Sequence, residues 1–329
     1  MSYTVQHRPS ALKDTLSLIA ELMRPSFNEW ELLQVRELVR HDMQQCRANP
    51  EMWALEMIRH TAYGGLGLGR TLYCPEYNVG NLYPEDLARY ALNRFVGSNI
   101  VVVGTGSHTE LCIAVDGTLG ALQAHPLSVF NREDSPYVGG RRTELGDGQM
   151  SIYSEAYDSS AFGGDGSFLS SIVTQIAGGF DSRPLTPGNH LTSAIAKIIA
   201  DQPYNPNLLR IRCFTLGKKP GLFGFCGFGR GPVREIADTV RRVVSRLSAH
   251  LTERNIRRAR LHLVHQSEHR MSFRSGFLGS VYAIHPRTEF ESQDVSPLIA
   301  QETLRRVFST RPTVYASGNL SGMHDRYFH

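Results

Sequence analysis

Cysteine is sparse in this 329-residue chain: five residues, at positions 46, 74, 112, 213 and 226. The number is odd, and no Cys-x-x-Cys or Cys/His spacing suits zinc, so neither a disulfide framework nor a zinc ribbon is supported. Reduced, buried thiols are the expectation. A haem-attachment Cys-x-x-Cys-His and a cluster-binding cysteine set are missing too. Long apolar runs are absent: nothing approaches the ~18 residues that would read as a membrane-spanning helix, and the stretch Ile100 to Val103 stops at Gly104. Nor is there a strong excess of one charge. Lys and Arg number 35 against 31 Asp and Glu, for a formal net charge of +4. Arg254, Arg257, Arg258 and Arg260 form the one local basic cluster, inside a helical pattern and without interleaved aromatics. It reads as a solvated helix face, not a nucleic-acid patch. No repeat of the length that makes a solenoid is visible.

What remains is an ordinary globular composition, 41% hydrophobic and 20% charged, long enough for two domains. Tyr3 to Gln6 reads as a short strand, and Ser10 as the cap of a helix carrying Leu12, Leu16, Ile19, Ala20 and Met23 on one face. Asn28 with Glu31 has the form of a capping box. Asn49-Pro50 separates the helix that follows it from a third, which ends in a turn with Gly64, Gly65, Gly67 and Gly69. Pro84 fits the first position of a helix running to Phe95. A buried strand at Asn99 to Val103 and a helix at His108 to Leu122 come next. Residues 123–140 are polar and aperiodic, as expected of a linker.

The second half opens with an alternating, half-buried strand at Gln149 to Asp158. Helices are expected at 167–176 and 190–200, strands at 208–216 and 222–228, helices at 232–250 and from Thr252, helices at 275–283 and 294–308, and a closing strand at 313–316. This order specifies an α+β class with helices packed on a mostly antiparallel sheet.

Of the motifs, His265-Gln-Ser-Glu268-His269 is the sharpest. Two imidazoles at i and i+4 can share a zinc, and the intervening carboxylate can take a proton from a metal-bound water, the pattern of an inverted zincin. At ~100° per residue, however, Ile256, Ala259, Leu263 and Ser267 gather on one side of the helix, while His262, His265 and His269 point away. The histidines are expected in solvent, without a shaped cavity or a third ligand. In GFCGFGRG, the glycines Gly224, Gly227, Gly229 and Gly231 match neither GxGxxG nor GxxxxGK[ST] and read as a strand edge turning into a helix. Gly104-Thr-Gly106 lacks the third glycine of a dinucleotide site.

Leu72-Tyr-Cys-Pro-Glu-Tyr77, Gly80 and Pro84-Glu-Asp-Leu87 resemble a segment of the core protein 2 family of ubiquinol–cytochrome c reductase, respiratory complex III. Further likenesses follow in order: Gly139-Gly140 up to Ser154-Glu-Ala156, Gly188 to Lys197, Gly221-Leu-Phe-Gly224, and Ala316-Ser-Gly-Asn-Leu320. This family is related to the mitochondrial processing peptidases, with two similar α/β domains, each a sheet covered by helices. The resemblance implies a processing-peptidase-like two-domain architecture: residues 1–122 as the second half of a first domain, 123–140 as linker, and 141–329 as a complete second domain. It also places Met1 to Val5 on an internal strand, so that the first domain is expected to be N-terminally truncated and completed by a separate chain or by further residues.

In the active peptidases the HxxEH lies early in the first domain, whereas here it falls late in the second. The resemblance therefore implies no catalytic, cofactor-binding or metal-binding residues and no cofactor. It implies a structural subunit, peripheral on the matrix side of the mitochondrial inner membrane, beside a core protein 1-like subunit, cytochrome b and other complex III subunits, and not bound to nucleic acid. Two alternatives stay open. One is the non-catalytic α-type subunit of the processing peptidase, whose glycine-rich loop the stretch Ala177 to Asn189 resembles poorly. The other is a zinc peptidase using His265, Glu268 and His269.

Overall fold

Alternating apolar residues and well-spaced glycines in the second half of the chain build a single six-stranded sheet. In the computed structural model the described residues are 3–104, 107–120, 135–146, 150–163, 167–182, 193–203, 205–217, 221–272 and 295–323. The strands are β1 (Gly140–Leu145), β2 (Ser151–Asp158), β3 (Gly179–Asp181), β4 (Leu208–Gly217), β5 (Gly221–Gly229) and β6 (Thr313–Gly318), in the spatial order β1-β6-β2-β5-β4-β3. β1 runs parallel to β6 and every other pair is antiparallel. The helices are α1 (Leu12–Leu22), α2 (Glu29–Ala48), α3 (Pro50–Ala62), α4 (Glu76–Val79), α5 (Pro84–Arg94), α6 (His108–Thr118), α7 (Ser167–Ala177), α8 (Ala194–Ala200), α9 (Val233–Leu247), α10 (Glu253–Ser272) and α11 (Pro297–Phe308). The expected α+β class with a mostly antiparallel sheet is the class found.

The chain divides into two compact units. One gathers residues 45–72, 133–266 and 287–329; the other gathers 1–44, 73–132 and 267–286. The sheet belongs to the first of these. α9 covers one of its faces by placing Val233, Ile236, Ala237, Val240, Val243 and Leu247 on one stripe, all buried, with Arg234, Arg242 and Arg246 outside. Beneath it lie Phe223 and Phe225 of β5 and Tyr153 and Tyr157 of β2, joined by Ile172 and Ile176 of α7 and Leu304 of α11. Phe223 meets Phe225 and Phe162 edge to face, and each such side chain contributes roughly 1.5–3 kcal/mol by leaving water.

The opposite face of the sheet is covered by α3. Asn49 caps it by accepting from the backbone amides of Glu51 and Met52, and Pro50 occupies its first turn, where no amide is needed. Ala54, Met57 and Ile58 then pack on Ile152, Ala156, Cys226, Phe228 and Tyr315. After Tyr63 the chain reverses through Gly64, Gly65 and Gly67, all at positive φ, a conformation that glycine adopts without a Cβ clash. The reversal is tied back to the helix by Glu56, which accepts from the Leu72 amide at 2.7 Å and from Arg59 at 2.6 Å.

This cover changes several expectations. β2 is buried on both faces, not half-buried: α3 covers the Ile152 and Ala156 side, and the side that alternation assigns to solvent, with Tyr153 and Tyr157, lies in the core beneath α9. A division at 123–140 assigns residues 45–72 to the first part of the chain, yet they pack with the sheet of the second. β5 ends at Gly229 and α9 begins at Val233, so the glycine-rich segment does turn from strand into helix, with Gly224 and Gly227 inside a strand that lies between β2 and β4. Gly227 lets α9 approach: a Cβ there would sit 2.6 Å from a methyl of Ile236 and 3.0 Å from one of Val240. β1 begins at Gly140, within the expected linker, of which residues 121–134 lie outside the described set. The helices expected at 190–200 and 294–308 start at Ala194 and Pro297, capped by Ser193 and Ser296. The helix expected at 275–283 lies outside the described residues.

In the other unit, Leu16 and Leu119 are buried with Leu12, Ile19, Ala20, Met23, Ile100, Ala114 and Val115 around them, joining α1 to α6. Among the described residues this unit has no strand. Tyr3 to Gln6 is exposed and forms no strand with any of the described residues. Asn99 to Val103 is likewise no buried strand: a 3-10 turn covers Gly97–Asn99, and Val101 is 64% exposed. Ser10 sits inside a 3-10 turn, and Ala11 takes the cap position of α1. Asn28 bonds Glu31 side chain to side chain at 3.1 Å, a weaker arrangement than a reciprocal capping box.

Gly227→Val is expected to lower stability by about 2 kcal/mol or more through overpacking under α9. Gly80→Ala, where no heavy atom lies within 4 Å of the new Cβ, is expected to stay within about 0.5 kcal/mol of the parent. Urea titration of both variants checks the contrast.

Candidate functional site

The HxxEH motif sits on α10, which the sequence orients as it does because Ile256, Ala259 and Ser267 are buried and Leu263 is half-buried. His262, His265, Glu268 and His269 are all exposed. The imidazoles share a helix face, as their spacing requires, but that face is in solvent. Among the described residues no group of three or more His, Cys, Asp or Glu side chains is placed to hold a metal ion. A catalytic zinc asks for three protein ligands in a shielded position, and on α10 the described residues supply exposed side chains only.

The chemistry that is buried lies elsewhere, on β2. Tyr153, Glu155 and Tyr157 point to the same face of the strand, into the core beneath α9. The Tyr153 hydroxyl donates to Glu155 Oε2 at 2.9 Å, and the Tyr157 hydroxyl donates to Oε1. Arg241 of α9 brings its Nε to 3.9 Å from Glu155 Oε2. Burial first, and the neighbouring Glu155 second, push both phenols well above the ordinary tyrosine value. The phenols are therefore held as donors and the carboxyl group as an acceptor. Nothing in this arrangement offers a substrate access, since Tyr153, Glu155 and Tyr157 are all buried.

Half-exposed polar groups fasten α3 to the sheet. Glu51 pairs with Arg210 at 3.1 Å and with Arg212 at 3.3 Å, while Arg210 also reaches Asp181 at 2.8 Å. Glu144 of β1 accepts from Trp53 at 3.2 Å, from Tyr315 at 2.8 Å and from Arg142 at 2.8 Å. Solvent screening makes each exposed pair worth little alone, so these contacts set the register of α3 more than its affinity. On the sheet face under α3, Ser154 donates to the Cys226 sulfur at 3.0 Å, and burial pushes that thiol up to about 12.

Of the arginine cluster, Arg254, Arg257 and Arg258 are exposed and Arg260 is half-buried. The first three line a cleft with Lys197 of α8, a residue that sequence spacing does not connect to them. Sequence reasoning passed over the Glu155 cluster as well. A signal was there: a carboxylate between two tyrosines on the inward side of an otherwise apolar strand.

No family model matches the chain. It is 24% identical to the mitochondrial cytochrome b-c1 complex subunit 2 of Rattus norvegicus, over 68% of this chain and 48% of that relative. To the mitochondrial-processing peptidase subunit alpha-2 of Dictyostelium discoideum it is 23% identical, over 96% of this chain and 73% of the relative. The chain spans about half the length of the rat relative. Among solved structures, a chain of complex III2 from Candida albicans, bound to Inz-5, matches 96% of this chain and 78% of its own length, with a TM-score of 0.72 at 15% identity. The fold is therefore that of the solved chain, and the resemblance read from Leu72 to Tyr77 onward extends to core subunit 2 and processing-peptidase sequences alike.

Glu155→Ala is expected to cost about 3 kcal/mol or more, since it leaves two buried phenols and a guanidinium without their acceptor. Tyr157→Phe, which removes one donor, is expected to cost about 1 kcal/mol. The raised phenol pKa values also set a pH dependence. Their contribution to stability is complete below the unfolded tyrosine value of about 10 and is lost as pH rises toward the higher folded values. Cys226 adds to the same decline between its ordinary 9.0 and about 12. Denaturant midpoints measured at rising alkaline pH should fall, and fall less steeply in Tyr157→Phe.

Proposed function

We propose that this chain is a non-catalytic structural subunit of the core protein 2 type, serving the assembly and stability of mitochondrial complex III. The observation that carries the reading is the match of almost the whole chain to one fold, that of a chain in a complex III2 structure. Sequence similarity to the rat cytochrome b-c1 complex subunit 2 supports it. In this reading the chain lies peripherally on the matrix side of the inner membrane, beside a core protein 1-like subunit and cytochrome b. No helix among the described residues is long and apolar enough to cross a membrane. Residues 1–122, less the stretch 45–72 that packs on the sheet, would be the second half of a first peptidase-like domain, 123–140 its linker, and 141–329, less 267–286, the second domain.

A further chain, or further residues, would complete the first of these domains. Supporting this is the unit formed by residues 1–44, 73–132 and 267–286, which shows no strand among its described residues and exposes Trp30, Leu33, Leu38, Tyr77 and Tyr90.

The solvent-facing HQSEH supports the absence of peptidase chemistry and of a bound metal. A second reading, the α-type subunit of the processing peptidase, is favoured by one observation: the Dictyostelium α-type relative aligns with more of this chain than the rat subunit does.

Purification of the tagged chain from its native membranes separates the two. Recovery with cytochrome b and a core protein 1-like subunit is expected, and recovery with a soluble processing-peptidase partner instead would overturn the assignment. The purified assembly is expected to hold zinc well below one ion per chain, and Glu268→Gln is expected to leave any peptide cleavage unchanged. Stoichiometric zinc, together with cleavage abolished by that substitution, would establish the peptidase.

A further inference from the structure

An open sheet has two edges, and in this chain they differ. β3, at one end, is three residues long, and its Asp181 is held by Arg210. β1, at the other end, runs for six residues in unbroken register with β6 and contains neither a proline nor a bulge, two devices that blunt an edge. The Gly146 amide donates to the Gly318 carbonyl at 3.5 Å. Backbone groups alternate along a strand, so Arg142 and Glu144 turn theirs toward β6, while Thr143 and Leu145 turn theirs outward. Among the described residues those outward groups have no partner. Thr143 is exposed, and Leu145 is 88% exposed. On the side facing α3, Arg142 gives its Nε to Glu144 of its own strand, and its two Nη nitrogens are unengaged among the described residues.

We propose that β1 pairs antiparallel with β1 of a second copy of this chain, about a two-fold axis at Thr143. The charges of the strand select that register. With Thr143 opposite Thr143, the two outward-facing residues exchange a pair of N–H···O=C bonds. Each Arg142 then lies opposite Glu144 of the second copy, in a non-hydrogen-bonded pair, where side chains come closest and opposite charges attract. Moving the axis to Arg142 or to Glu144 sets like charges face to face, which is repulsive. Charges on an edge strand ordinarily turn an incoming strand away; here they cancel against their own sequence read in reverse. That self-complementarity favours a second copy over a strand of unrelated sequence, and a two-fold contact closes without propagating. The proposal stands apart from the complex III assignment, because the edge belongs to this chain's own sheet.

The test is cysteine crosslinking of the full chain with the thiol oxidant diamide, on a Cys112→Ser background that removes the exposed native thiol. Thr143→Cys is expected to give a disulfide-linked dimer, since residues opposed in a hydrogen-bonded pair lie about 5.5 Å apart at Cα, within disulfide reach. Leu145→Cys is also exposed but lies about 14 Å from its counterpart in this register, and is expected to link at least about tenfold more slowly. Adding Arg142→Glu to Thr143→Cys is expected to lower the dimer yield at least about fivefold. Mixing that double variant with Glu144→Arg/Thr143→Cys is expected to restore it, because opposite charges face each other again in the mixed dimer. Circular dichroism checks that each variant folds. Glu144 also holds Trp53 and Tyr315; if its variant fails to fold, Leu145→Cys and Arg142→Glu decide alone. Equal linking rates for Thr143→Cys and Leu145→Cys overturn the proposal, the result also expected if this edge takes a strand of another protein. So does a Thr143→Cys dimer yield that Arg142→Glu leaves unchanged.

Discussion

A strand in the middle of a sheet has two faces, and when both carry apolar side chains both must be covered. β2 and β5 are such strands. Tyr153, Tyr157, Phe223 and Phe225 face one way, while Ile152, Ala156, Cys226 and Phe228 face the other. α9 with α7, α8 and α11 covers the first set. The second is met by α3, drawn from an early part of the chain, far in sequence from the strands on which it rests. The cap at Asn49, the glycine reversal after Tyr63 and the tether of Glu56 to Leu72 all serve to hold that helix in place.

The same constraint explains why the polar groups are where they are. Glu155 enters the core on a strand whose neighbours leave it no water, and two phenols with a guanidinium supply what water would have given. The outer ring of Glu51, Glu144, Arg210 and Arg212 remains half in solvent, where pairing adds register more than energy. Burial goes to architecture, and the one motif with catalytic form, HQSEH, is turned outward. A fold of this kind suits a subunit whose work is to present surfaces.

Much of this could be read from residues. The helices carrying Leu12 to Met23 and Pro84 to Arg94, the long amphipathic α9, and strands β2, β4, β5 and β6 follow from local periodicity, because each buries one stripe or alternates along its length. The outward histidines of α10 follow from the same arithmetic. Asn99 to Val103 failed as a strand for a related reason: a short β-branched run has strand propensity, but propensity does not make a strand without a partner ladder. β1 and β3 were missed because Gly140–Leu145 is strongly polar and Gly179–Asp181 is too short to show a period.

Residues a few positions apart settle most secondary elements of the sheet-bearing unit, β1 and β3 excepted, together with the solvent orientation of HQSEH. Tertiary structure alone decided that residues 45–72 cover the far face of a sheet formed after residue 139, that Glu155 finds Arg241, and that Lys197 joins Arg254 and Arg257 around one cleft. Local spacing carries no information about such pairings. They arise when distant segments compete to exclude water from the same apolar surface, and only the folded chain shows which segment prevails.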